Sequence, residues 1–380
     1  MHDVAVVGAS AAGLFTAYLV ARGGQQVRVF ERAAAIGESP RTLIVTSRMA
    51  DVLGGLADKA IVNRIQRFEM FANGRVATVT LQRPDLVVER SILIRGLAEH
   101  AETAGADIAF GRQLLGVEPN GYGLTLKVGS TNGAGTEDLS ARTLVGADGA
   151  FSAVARAVGW PQQPTVPLLQ AVVRLPADLA PETTRVWFDP IETPYFYWLI
   201  PESPTTGVVG LIGEGRRAIR GHLTRFLERH RLEPLEFQAA RIPIYQRWIS
   251  NHRRIGRGDV YLVGDAAGQV KPTTVGGIVT GFRGALGVAE AILKGRASRE
   301  LRALRHELTC HMLIRRTLHS FTRADYTRLF DVLDRPTQRL LSAHTRDDVT
   351  TVLWRLCLHQ PRLLMLGVRA LFKRAVHSGS

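Results

Sequence analysis

The chain has 380 residues, of which 46% are hydrophobic and 22% charged, which excludes a disordered or collagen-like protein and predicts two or three domains. Lys and Arg number 48 against 34 Asp and Glu, a balance of +14, and only five of the 48 are Lys. Such a balance fits nucleic acid, an anionic membrane face or an anionic ligand.

Val4 to Ala21 is an uncharged stretch of 18 residues, long enough on paper for a membrane span. Asp3 precedes it, so it lacks the positive flank of a signal peptide, and Gly8, Ser10 and Gly13 interrupt it. Val4–Val7 is β-branched like a buried parallel strand, and Ala11–Ala21 has helical composition. The stretch therefore reads as strand, glycine turn and helix inside a layered α/β core.

The turn Gly8-Ala9-Ser10-Ala11-Ala12-Gly13 is a GxGxxG pattern with Ser10 at the middle glycine. The first Gly allows a tight turn and the last allows close strand–helix packing, so that backbone N–H groups at the helix start face a pyrophosphate. Gln26–Phe30 reads as the next strand. It ends in Glu31, where an acid accepts ribose hydroxyls, and Arg32 follows. Ser39-Pro40-Arg41-Thr42 is a loop whose Arg41 suits a phosphate or flavin contact. Val87–Ser91 opens a helix running to Ala104, with Ser91 as the expected N-cap and Gly105 as the stop.

Two further strand ends carry acids. Thr143–Val145 runs into Gly146-Ala147-Asp148-Gly149, and Asp259–Val263 runs into Gly264-Asp265-Ala266-Ala267-Gly268. Pro272 and then Gly276-Gly277-Ile278 follow, opening a helix to about Leu293.

These three sites in this order resemble the p-hydroxybenzoate hydroxylase-like FAD superfamily, whose members carry an N-terminal GxGxxG, a middle DG and a later GD motif. The resemblance implies FAD as cofactor. Gly8, Ser10, Ala11, Ala12 and Gly13 would hold the pyrophosphate, with Asp148 and Gly149 nearby. Glu31 would take the adenosine ribose, Arg90 would approach the flavin and Asp265 a ribityl hydroxyl. The helix start at Gly276, Gly277 and Ile278 would point its positive end at the flavin pyrimidine edge.

The implied fold is α/β: a Rossmann-like FAD-binding domain (1–70, 89–160 and 253–297) interleaved with an antiparallel β-sheet substrate domain (71–88 and 161–252), plus a C-terminal helical region (298–380). Gly264–Ile278, with Gly268 in place of the His usual in aromatic hydroxylases, resembles geranylgeranyl reductases. So does Pro194-Tyr195-Phe196-Tyr197-Trp198-Leu199-Ile200-Pro201, close to their YxWxFP stretch. This segment is also similar to the WxWxIP stretch of flavin halogenases, but those need a placed Lys, and Lys59 alone precedes residue 127. Some archaeal reductases carry a Cys after the ribose acid, and here no Cys precedes Cys310.

The strand-rich runs Thr184–Phe188, Tyr195–Ile200 and Gly207–Ile212 predict a sheet over the flavin. Trp187, Tyr195, Tyr197 and Trp198 are the expected substrate wall. The resemblance implies hydride transfer from reduced flavin N5 to a C=C bond of an isoprenoid or similar apolar substrate. The alternative is a monooxygenase of an aromatic, polyketide or terpenoid through a flavin C4a-hydroperoxide. The expected electron donor, NAD(P)H or a reductase, stays open because no separate NAD(P)H domain is visible, and no catalytic side chain stands out.

Residues 301–380 hold 14 basic and six acidic residues, and six of the 11 His, without metal-ligand spacing. Apolar residues recur at helical spacing in Leu301–Phe330 and Val349–Ala375. Pro361–Arg374 is apolar with a basic end, and reads either as a packed helix or as a peripheral contact with an anionic membrane. No helix-turn-helix or RNA-binding sheet motif is visible, so no nucleic-acid partner and no metal are expected. Cys310 and Cys357 alone exclude a disulfide framework, which leaves a cytoplasmic protein as the expectation.

Overall fold

The computed structural model describes residues 2–37, 41–133, 135–213 and 215–360. The chain begins with β1 (His2–Val7), α1 (Ala11–Arg22) and β2 (Val27–Glu31). β3 (Thr42–Val45) and α2 (Arg48–Leu53) lead to a long hairpin of β4 (Ile61–Ala72) and β5 (Arg75–Glu89). α3 (Arg90–Thr103), β6 (Asp107–Phe110), β7 (Arg112–Pro119), β8 (Leu124–Ser130), β9 (Thr136–Gly146) and α4 (Ala153–Ala157) return to the first sheet. β10 (Thr165–Arg174), β11 (Thr183–Trp187), β12 (Tyr197–Pro201), β13 (Thr206–Ile212), α5 (Arg216–Arg229) and β14 (Pro234–Pro243) build the second. β15 (His252–Ile255), β16 (Gly258–Leu262) and α6 (Ile278–Lys294) close the first sheet. α7 (Arg299–Leu318), α8 (Arg323–Asp331), α9 (Arg335–Ala343) and α10 (Val349–His359) follow.

The first sheet has the order β15-β16-β9-β1-β2-β6, with β8 on β9 and β7 on β8. β1 lies at its centre, parallel to both β2 and β9. A central parallel strand is covered on both faces, which is why Val4–Val7 is apolar without alternation. Val4 and Val6 face a core shared with α1, α3 and α6. Ala5 and Val7 face Leu124, Leu126 and Val128 of the β7–β8 hairpin.

The second sheet has the order β14-β10-β13-β12-β11-β4-β5-β3. The expected antiparallel sheet is present with one parallel pairing, β4 with β11. β3 and all of β4 belong to this sheet, although the expected FAD segment 1–70 contained β3 and β4 as far as Met70. The division therefore comes earlier, because β4 needs β5 and β11 as neighbours to satisfy its backbone. One face of the sheet packs under α5 through Leu223, Phe226 and Leu227. The other packs Ile65, Val87, Tyr195, Trp198 and Ile212 together, with Val275 reaching in from the first domain.

α3 starts two residues earlier than expected, since its N-cap is Glu89 rather than Ser91. The Glu89 carboxylate accepts from Ser91 N–H at 3.1 Å and Ile92 N–H at 2.6 Å, which satisfies first-turn donors that lack a helical carbonyl. α7 is bound to α6 by Arg283, which meets Glu300 and Glu307 at 2.5 Å each. No helix among the described residues is long and apolar enough to cross a membrane. Pro361–Arg374, Ser39 and Pro40 lie outside the described residues.

Candidate cofactor and substrate site

The glycine turn is shaped by close backbone contact. Gly8 has φ +102°, and a Cβ there would stand 2.5 Å from the Ala147 carbonyl oxygen and 2.9 Å from Asp148 Cα. A Cβ on Gly13 would stand 2.3 Å from the Gly8 carbonyl oxygen. Ser10, at the middle position, caps α1 by accepting the Gly13 N–H at 3.2 Å. Ala11 and Ala12 follow as the first helical residues, whose N–H groups have no carbonyl four residues back within the helix.

Glu31 accepts the Ala9 N–H at 2.8 Å through Oε2 and the Ala33 N–H at 2.9 Å through Oε1. It thereby holds the turn to the end of β2, and its remaining lone pairs can accept hydroxyls. Arg32 beside it is exposed.

Asp148 reaches the turn with its backbone, whereas its carboxylate caps α4 by accepting from Ala153 N–H at 2.6 Å and Val154 N–H at 3.1 Å. Burial pushes that carboxyl up, against the hydrogen bond from Ser152 and those from the backbone. Gly149 takes φ +82° at the turn that follows. Gly264 (φ +63°) approaches the same place from the third motif, since a Cβ on it would lie 3.1 Å from Ala12 Cβ. The three motifs therefore meet around residues 8–13.

Asp265 lies below the start of α6, and a Cβ on Gly277 would be 3.1 Å from its Oδ1. Burial pushes the Asp265 carboxyl up, and the positive charges of Arg90 and Arg41 pull it down. Burial lowers the Arg41 guanidinium, as does the like charge of Arg90, and Asp265 opposes them. Arg41 Nε is buried without a hydrogen-bond partner. Arg41, Arg90 and Asp265 thus form one electrostatic group beside the motif loop.

That loop turns on itself. The Lys271 N–H donates to Gly276 O at 3.1 Å and the Val275 N–H to Lys271 O at 2.8 Å, with Pro272 inside the turn. Gly277 precedes Ile278 as the N-cap of α6. Val275 has φ +56°, an outlying conformation for a β-branched residue.

Sequence pattern missed several groups here. The Lys271 ammonium is 2.5 Å from Asp347 Oδ1, and Thr46 also donates to Asp347. Lys271 Nζ is 3.9 Å from where a Cβ of Gly276 would lie. His311 Nδ1 is 2.7 Å from Thr273 Oγ1. Burial holds the His311 imidazole down to about 3, helped by Lys271 and opposed by Asp347. The one signal in the sequence was the scarcity of Lys, which makes a Lys inside the third motif conspicuous.

The four aromatic residues of the expected wall divide between two faces. Tyr195 and Trp198 lie on the face that meets Val275. Trp187 and Tyr197 lie on the opposite face, where Tyr197 stacks on Phe226 at 4.4 Å and Trp187 meets Phe226 at 5.0 Å. Strand alternation causes this, since Tyr197 and Trp198 are adjacent in β12. Trp187 and Tyr197 are therefore packing residues under α5 and do not join the wall. Gly210 makes room for Trp198, because a Cβ there would fall 2.4 Å from the indole.

The residues fit FAD on structural grounds. A cradle without side chains at Gly8 and Gly13, free first-turn donors, a carboxylate with spare lone pairs and a guanidinium whose Nε is buried without a partner match a nucleotide diphosphate. A family model described as FAD binding domain matches residues 1–307.

The chain belongs to this FAD binding domain family.

It is an FAD-dependent oxidoreductase, and the motif resemblance to p-hydroxybenzoate hydroxylase-like flavoproteins near the geranylgeranyl reductases holds. It is 28% identical over 306 residues to digeranylgeranylglycerophospholipid reductase 2 of Methanothermobacter thermautotrophicus, covering 73% of this chain and 74% of that protein. Its fold matches a geranylgeranyl bacteriochlorophyll reductase-like protein of Thermoplasma acidophilum with a TM-score of 0.78, at 20% identity over 97% of this chain and 99% of the other. It also matches p-nitrophenol 4-monooxygenase of Pseudomonas putida with a TM-score of 0.66, at 19% identity over 96% and 98%. A small-molecule substrate and a redox partner follow from this membership.

Proposed function

We propose that this protein reduces carbon–carbon double bonds of an isoprenoid or similarly apolar substrate. The observation that carries the reading is the apolar face of the second sheet, where Ile65, Tyr195, Trp198 and Ile212 pack together and meet Val275 of the third motif. Apolar walls beside a few placed polar groups are the usual lining of a small-molecule site. The names of the related reductases support the same reading.

FAD, once bound and reduced, would supply the hydride for one alkene carbon, with a proton from water or a side chain for the other. The chain's own work is to hold cofactor and alkene in register, which accounts for much of the barrier in such reactions. The turn 8–13 with Gly149 is proposed to hold the pyrophosphate, Glu31 the ribose, and Asp265, Arg41 and Arg90 the flavin side. The α6 start at Gly276, Gly277 and Ile278 would present N–H donors to the flavin edge that gains negative charge on reduction. NAD(P)H or a separate reductase would supply the electrons. The basic segment 361–374 is the proposed peripheral membrane contact of a cytoplasmic enzyme, since a prenyl lipid is drawn from a bilayer.

Turnover under argon with dithionite and a geranylgeranyl lipid tests this. Mass spectrometry should find the hydrogenated lipid. A product formed only in air, carrying an added oxygen atom, would support the monooxygenase alternative instead.

A further inference from the structure

Three Lys or Arg side chains are buried among the described residues: Lys271, Arg283 and Arg315. Two of them follow the rule that buried charge is paired. Lys271 meets Asp347, and Arg283 meets Glu300 and Glu307. Arg315 is the exception. Its guanidinium sits 4.0 Å over the Tyr195 ring and its Nη2 donates to the Pro194 carbonyl. Its Nε is buried without a hydrogen-bond partner. The groups that act on its charge are Tyr195 and Tyr326, neither of them a carboxylate.

His311 lies one turn earlier on α7, at the spacing that shares a face with Arg315. Its Nδ1 is engaged by Thr273, while its Nε2 is buried without a partner. Thr274 Oγ1, next along the motif loop, is buried without a partner too. Tyr195 belongs to the apolar face of the second sheet. Unsatisfied polar atoms thus gather where α7, the third motif and the apolar face meet.

Arg can only donate, so the missing partner must accept, and a lone buried cation calls for negative charge in that partner. We propose that Arg315 and His311 form a subsite for the oxyanionic group, carboxylate or phosphate, of an otherwise apolar substrate. The apolar body lies along Trp198 and Val275 and the acidic end docks at Arg315. This deepens the reading above and rests on it for the placement of the substrate.

The test is equilibrium binding to the oxidised holoenzyme, followed by perturbation of the flavin absorbance. Two matched pairs serve as probes: geranylgeranyl diphosphate against geranylgeraniol, and geranylgeranoic acid against its methyl ester. One charged member should bind at least about tenfold tighter than its neutral partner, as expected for a charge-assisted bidentate contact. The pair that shows the preference identifies the oxyanion. In Arg315→Met the ratio should fall to near one, with the neutral probe's Kd unchanged. If that variant does not fold, Arg315→Lys serves, and its ratio should fall several-fold because the planar fork is lost. A ratio near one in both pairs, an unchanged ratio in the variant, or no binding of any probe would overturn the subsite. The proposed reduction fails in a different way, when the probes bind and no hydrogenated product forms.

Discussion

Lys271 Nζ stands 2.5 Å from Asp347 Oδ1, and both side chains are buried. The pair joins the third FAD motif to the loop between α9 and α10, beyond the residues 1–307 matched by the family. The residues beside Asp347 reinforce the join. Arg346 meets Asp85 of β5 at 2.5 Å, and Asp348 meets Arg48 of α2 at 2.8 Å. Three consecutive residues of a late loop are thus tied to three different elements around the site.

Breaking that pair from one side leaves a buried charge alone. Lys271→Met or Asp347→Leu should each cost about 3–5 kcal/mol, and the two together should cost clearly less than the sum. Denaturant unfolding of the four proteins measures the coupling. Strictly additive losses would mean that the two side chains do not depend on each other.

Acid should unfold the protein through two of these groups. The Asp347 carboxyl is held down to about 2 from 3.8: burial raises it, but the Lys271 charge and hydrogen bond outweigh that. A depressed carboxyl stabilises above 3.8 and that stability is lost as pH falls toward 2. His311 moves from 6.5 to about 3, so the folded state resists its protonation. Its contribution is complete above 6.5 and is lost as pH falls from there toward 3, by about 1.4 kcal/mol per pH unit. Thermal unfolding between these values should show a flatter pH slope for His311→Asn than for the wild type.

The cradle glycines tolerate no side chain. Gly8→Ala and Gly13→Ala would press a methyl group onto backbone oxygens at 2.5 and 2.3 Å, neither of which can rotate away. Both variants should purify with little or no FAD, read from the ratio of flavin to protein absorbance. Glu31→Ala should retain the fold and lose roughly tenfold or more in FAD affinity, since it releases Ala9 and removes the hydroxyl acceptor.

The two faces of the second sheet should separate in experiment. Trp187→Ala removes packing under α5 and should cost about 2–4 kcal/mol in stability, with substrate KM little changed. Trp198→Ala opens the face toward Val275 and should raise KM for an apolar substrate. A KM change confined to the Trp187 variant would invert the assignment of the faces.

Local pattern made much of this protein legible. Val4–Gly13, Glu31, Asp148-Gly149 and Gly264-Asp265 are short motifs whose backbone requirements are written in adjacent residues, and the first sheet follows from them. The division of the wall was hidden, because Trp187 and Tyr197 look like Tyr195 and Trp198 until strand register puts them on opposite faces. The early sheet boundary was hidden too, since β4 finds its parallel partner β11 more than a hundred residues later. Lys271 and Asp347 are 76 residues apart. Arg315 is one of many arginines in a basic chain, and burial without a carboxylate partner among the described residues distinguishes it. Long-range pairing of charge leaves no periodic trace in a single sequence.

In the proposed reaction, electrons pass from reduced FAD to a carbon–carbon double bond. Rapid mixing of fully reduced enzyme with a geranylgeranyl lipid under argon tests it most directly. Oxidised-flavin absorbance should return in a single phase, with one double bond saturated per flavin reoxidised. Flavin that stays reduced under argon, and reoxidises only when oxygen is admitted with oxygenation of the lipid, would contradict it.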